Sequence, residues 1–64
     1  MTKEEYLKSL LNKIFTTKQT IEDILSMLDT EEQRQILIEE LENGLNDKGL
    51  IILMAFDIAN GLEV

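Results

Sequence analysis

Any chemistry in this chain would have to come from its carboxylates. Thirteen acidic residues stand against six basic ones, there is no histidine or cysteine, and Ser9 and Ser26 are the only serines. Nucleophile–base pairs of the Ser–His or Cys–His kind cannot be assembled from this inventory. No glycine-rich run exists to cradle phosphate, and a structural zinc lacks its usual ligands. Glu39, Glu40 and Glu42 are close in sequence. They come without the Glu-x-x-His pairs of di-metal bundles, and so read as a solvated helix face. The run Asn46-Asp47-Lys48-Gly49-Leu50-Ile51 faintly resembles a calcium loop. Aligning Gly49 with the loop glycine puts Gly44 at the first ligand position and Ala55 at the twelfth, and neither offers the required side-chain oxygen. The expectation is a protein that is not an enzyme and that holds no metal or cofactor.

What the acids can do is recognise. The formal net charge is −7, unevenly placed. Residues 1–18 carry Lys3, Lys8, Lys13 and Lys18 against Glu4 and Glu5, a balance of +2; residues 19–64 carry Arg34 and Lys48 against eleven acids, a balance of −9. Nucleic acid is repelled by most of such a surface. A helix-turn-helix is the one DNA-binding arrangement worth weighing, because Gln33, Arg34 and Gln35 would open a helix after the short Asp29-Thr30 link. Glu31, Glu32, Glu39 and Glu40 would then face the phosphates, which argues against it. A protein partner with a basic surface suits the charge better. The candidate contact is Ile36, an apolar residue whose helical neighbours are Glu32, Gln33, Glu39 and Glu40. An apolar anchor inside a charged rim is the pattern of a binding hot spot.

The elements that must position these residues read as helices. Thr2-Lys3-Glu4-Glu5 is a capping box, and Tyr6, Leu7, Leu10, Leu11, Ile14 and Phe15 follow at helical spacing. Thr20 caps a short second helix with Ile21, Ile24, Leu25 and Leu28 on one face and Met27 off it. Thr30-Glu31-Glu32-Gln33 is a second box, opening a helix with a Leu37, Ile38, Leu41 stripe that Asn43-Gly44 ends. Asn46 or Asp47 caps the last element, and Asn60-Gly61 repeats the stop. The expected helices lie at about residues 3–15, 20–28, 31–43 and 47–60.

The fourth element is unlike the others. Nine of the ten residues from Leu50 to Ala59 are apolar, too few to cross a bilayer, which takes about 20. A strand competes, since Ile51 and Ile52 are β-branched, but no second strand exists for it to pair with. A helix apolar nearly all round is normally a buried one, and three short partners are too few to cover it completely. Leu50, Leu53, Met54 and Asp57 share one of its faces, with Ile52, Ala55, Phe56 and Ala59 on the opposite side, and are the expected interface of a homodimer.

The sequence thus predicts an all-α fold, a single four-helix domain over residues 1–64 with an apolar C-terminal helix. No secretory leader is visible, because Glu4 and Glu5 interrupt the early lysines and no apolar run follows, so a cytoplasmic protein without membrane attachment is expected. Lysine, isoleucine and glutamate richness without proline, histidine, cysteine or tryptophan fits a low-GC bacterium or its phages by composition alone. The expected function is that of a small acidic regulator or inhibitor acting by protein–protein contact, its partner surface formed by Ile36, Glu32, Glu39 and Glu40. The competing expectation is a dimerisation module with no separate target.

Overall fold

The computed structural model describes residues 1–61. Its elements are α1 (Lys3–Asn12), α2 (Lys18–Met27), α3 (Glu31–Glu42) and α4 (Lys48–Ala59). The all-helical fold expected from the caps and the apolar period is the one observed, with no strand among the described residues.

Most of the local signals act as their chemistry demands. The Thr2 hydroxyl accepts from the Glu5 amide at 3.1 Å, and the Glu5 carboxylate accepts from the Thr2 amide at 3.1 Å. These bonds to Thr2 hold the Glu5 carboxyl below its ordinary pKa. Thr30 accepts from the Gln33 amide, and Asp47 from the Leu50 amide, so α3 and α4 are each capped at one of their unpaired first-turn donors. Gly44 turns the chain out of α3 at φ +105°, a conformation that side chains rarely adopt.

Three local expectations are corrected. First, α1 stops at Asn12 rather than continuing to Phe15. The Ile14 and Phe15 amides both bond to the Leu11 carbonyl, which closes a final turn and drops the Phe15 ring into the core. Second, α2 begins at Lys18 and takes Thr17 as its cap position, without a side-chain cap bond, so Thr20 lies inside the helix. Third, the Thr30 box is not reciprocal. Gln33 turns its carbonyl oxygen to the Asp29 amide at 3.0 Å and its amide nitrogen to the Ile58 carbonyl at 3.3 Å, tying the start of α3 to the end of α4.

α1 packs most extensively on α3, α2 packs on α4, and each helix also packs on its hairpin mate. The core is formed by Leu7, Leu11 and Phe15, by Ile21, Ile24 and Leu28, by Leu37 and Ile38, and by Ile51, Ala55 and Ile58. At roughly 1.5 to 3 kcal/mol per fully buried aliphatic side chain, this cluster is the main stabilising term of a chain without disulfides. The two hairpins repeat one another. α1 and α3 end, and α2 and α4 begin, at positions 30 residues apart. The pairs Leu7 and Leu37, Ile21 and Ile51, and Leu28 and Ile58 are buried in both halves. Between the halves, Arg34 pairs with Glu4 at 3.5 Å and the Tyr6 hydroxyl donates to Glu42 at 2.6 Å.

Candidate protein-contact surface

α4 buries one side only. Ile51, Ala55 and Ile58, spaced by four and three, face the core. About 100° of rotation per residue carries Leu50, Leu53 and Phe56 to the opposite arc, where they are 54%, 62% and 51% exposed. A single chain leaves part of this segment uncovered: α2 and α3 pack over the inner arc, and no other described element lies over the outer one. Asp57 is exposed on the outer arc, while Met54 is half-buried and packs against the core. Of the four residues expected on this face, Leu50, Leu53 and Asp57 stand together at the surface and Met54 sits at its inner margin. Phe56, assigned by helical arithmetic to the opposite side, also belongs to the exposed arc.

Beside that arc lies a groove of about 440 Å³ between α2 and α4. Ile24 lies at its buried side, Met27, Ile52 and Phe56 line it, and Asp23 of α2 contributes a carboxylate. Going round α4 from the groove, the order is Ile52, Phe56, Leu53, Asp57. The apolar strip therefore has a carboxylate on either side, Asp23 on α2 and Asp57 on α4. Lys18 and Lys48 stand at the N-terminal ends of α2 and α4 and do not line the groove. The helical period of α2 puts Met27 off its apolar face. The signal that would have placed it is its shared border with Ile52 and Phe56, a tertiary relationship.

The outer face of α3 is arranged differently. Glu32 and Glu39 are exposed and Glu40 is partly covered, so an acidic surface is present. Glu39 accepts from the Gln35 amide at 3.1 Å. Ile36 lies among these residues but is half-buried and packs against the core. The structure places the four residues on one helix and leaves Ile36 less apolar surface to offer than Leu53.

A second polar contact sits where α1 meets α3. The Tyr6–Glu42 hydrogen bond pushes the Tyr6 hydroxyl above its ordinary pKa, because the bond and the nearby carboxylate favour the protonated phenol. Among the described residues no three acidic side chains converge in a way that could hold a metal ion, and no helix is long and apolar enough to cross a membrane. No protein-family model matches the chain, and neither a curated protein nor a solved structure matches it.

Proposed function

We propose that this chain is a small acidic, non-enzymatic regulator or inhibitor that acts by protein–protein contact, meeting a basic surface of its target with the outer side of α2 and α4. One observation carries the reading. At positions 30 residues apart in the two hairpins, α2 presents Glu22, Asp23 and Ser26 where α4 presents Ile52, Leu53 and Phe56. The same place in the fold is thus polar in one half and apolar in the other. Ile52 is half-buried against the core, but the bundle does not require apolar side chains at the exposed places of Leu53 and Phe56, and exposed apolar clusters rimmed by charge mark contact sites. The acids of α3, Glu32, Glu39 and Glu40, add to a field that steers a cationic partner and sets its orientation.

The test compares the wild-type chain with Leu53→Asp, which copies the α2 residue onto α4. The variant is expected to melt as the wild type does and to lose the protein captured from lysate of the producing cell. Equal capture by both would overturn the α4 assignment.

A second reading is a homodimer with no separate target. Leu50 and Phe56 are equally spaced about Leu53, so a two-fold axis beside Leu53 would lay apolar residues on apolar residues. Light scattering on the eluting protein separates the two: this reading requires twice the 7.4 kDa chain mass.

A further inference from the structure

We propose that the groove between α2 and α4 receives an amphipathic helix of the partner protein, apolar along one face and rich in lysine or arginine along its flanks. This rests on the reading of the α4 surface as a protein-contact face and specifies what occupies it.

Three physical features select that occupant. The first is backbone satisfaction. Ile24, Met27, Ile52 and Phe56 make up the apolar part of the groove, and Thr20, Asp23 and Ser26 add three polar side chains, all on α2, so an extended segment lying in it finds too few partners for all of its amides and carbonyls. An extended peptide would leave the rest of those groups unpaired, and no strand edge is present among the described residues to receive them. A helix satisfies its backbone internally and seats its side-chain ridge between two others, as helices do when they pack.

The second feature is charge. Asp23 and Asp57 flank the apolar strip, Glu22 lies next to Asp23 on α2, and the chain as a whole carries −7. Cationic side chains at the edges of the incoming helix would meet these carboxylates while its apolar face is buried. A second copy of this chain would bring Asp57 against an equally acidic rim, with seven negative charges on each side. The third feature is adaptability: Met27, an unbranched and polarisable side chain, sits at the groove where a varied apolar ridge must be accommodated.

The experiment titrates the full chain with three synthetic peptides of about 18 residues, long enough to form a helix in contact. One has leucines at helical spacing with lysines elsewhere, one has the same leucines with glutamates, and one scrambles the leucine–lysine composition. The leucine–lysine helix is expected to bind and to shift the NMR signals of Met27, Ile52, Leu53 and Phe56. Added salt should weaken it, and the double variant Asp23→Lys, Asp57→Lys should weaken it by about tenfold or more. The glutamate and scrambled peptides are expected not to bind.

Equal binding by the scrambled or the glutamate peptide would overturn the proposal, as would shifts confined to α3 or unchanged binding by the double variant. A wild-type dimer that already covers Leu53 and Phe56 would overturn it too. Should Leu53→Asp abolish capture of the target while no peptide binds, the contact reading stands and the helical occupant falls. Should Leu53→Asp change neither, both fall.

Discussion

Leu53 stands on α4 where Asp23 stands on α2. Each is the sixth residue of its helix, the two are 30 positions apart, and both side chains are exposed. The bundle therefore supplies its own control for what this position needs. Asp23 accepts a hydrogen bond from Gln19 at 2.9 Å and is otherwise solvated, so a carboxylate is acceptable at this place in the fold. The leucine at the equivalent place is 62% exposed and gains little from the core beneath it.

Leu53→Asp combined with Phe56→Ser, which makes the outer arc of α4 resemble that of α2, should accordingly leave the helical circular dichroism unchanged. Leu53→Asp should alter stability by no more than about 0.5 kcal/mol, the usual range for exposed sites, and Phe56→Ser, at a residue that keeps half of its surface covered, should cost about 1 to 2 kcal/mol. Binding of an apolar dye to the surface should fall. A loss of several kcal/mol in thermal unfolding would mean that the arc is covered within the fold.

Core positions should respond in the opposite way and in pairs. Leu7 and Leu37 are fully buried at equivalent places of the two hairpins. Truncation of either to alanine should cost about 2 to 5 kcal/mol. A domain of this length has a total stability of roughly 3 to 10 kcal/mol. Each variant is expected to lower the thermal midpoint steeply, and by similar amounts. A large difference between the two would show that the repeat of the backbone is not a repeat of the packing.

The elements were legible in the sequence where local chemistry decides them, and less so where packing does. Thr2, Thr30 and Asp47 bond first-turn amides as residues of their kind do, and Gly44 takes the positive φ expected after Asn43. Thr20 has the same hydroxyl and caps nothing, because Phe15 is anchored in the core and the short link after it brings the chain into helix at Lys18. The exposed face of α4 was only partly legible for a related reason. A helix apolar on every side carries no periodic signal of which side is inward, so Phe56 was misplaced while Leu50 and Leu53 were not. Ile36 lies on the helix expected for it but is half-buried against the core, a tertiary contact that a helical projection does not contain.

The contrast between Thr30 and Thr20 gives a direct measurement. Thr30→Ala removes the acceptor of the Gln33 amide and should cost about 1 kcal/mol, the common value for an N-cap. Thr20→Ala replaces a β-branched residue inside α2 by a better helix former. It should be neutral or stabilising by a few tenths of a kcal/mol. Chemical denaturation of the two variants checks the order. Reversal of it would restore Thr20 as the cap of α2.

Gly44→Ala probes the turn between α3 and α4 without touching any neighbour. A Cβ placed there meets nothing within 4 Å, so crowding cannot be the cause of any effect. The backbone at φ +105° is strained for every residue with a side chain, and a loss of about 1 to 3 kcal/mol is expected. Unchanged stability would mean that the turn relaxes to another conformation at no cost.

Tyr6 offers a readout of how α1 is held to α3, because it is the chain's only tyrosine and its ultraviolet titration is therefore unambiguous. Its hydroxyl donates to Glu42 at 2.6 Å, and that bond raises its pKa above the ordinary value of about 10. The group's contribution to stability has a definite sign. A pKa higher in the folded than in the unfolded chain means that the stabilisation is complete below the unfolded value of about 10, and that it is lost as pH rises through the folded value. The tyrosinate absorbance of the wild type should therefore appear at higher pH than that of the unfolded chain. Glu42→Gln removes the charge and weakens the preference for the neutral phenol, so it should bring the midpoint down towards about 10. Tyr6→Phe should remain helical and should lack this alkaline loss of stability. If the wild-type midpoint already lies at the ordinary value and Glu42→Gln leaves it unmoved, the Tyr6–Glu42 bond is not what joins α1 to α3 in solution, and the Arg34–Glu4 pair and the shared core carry that contact instead.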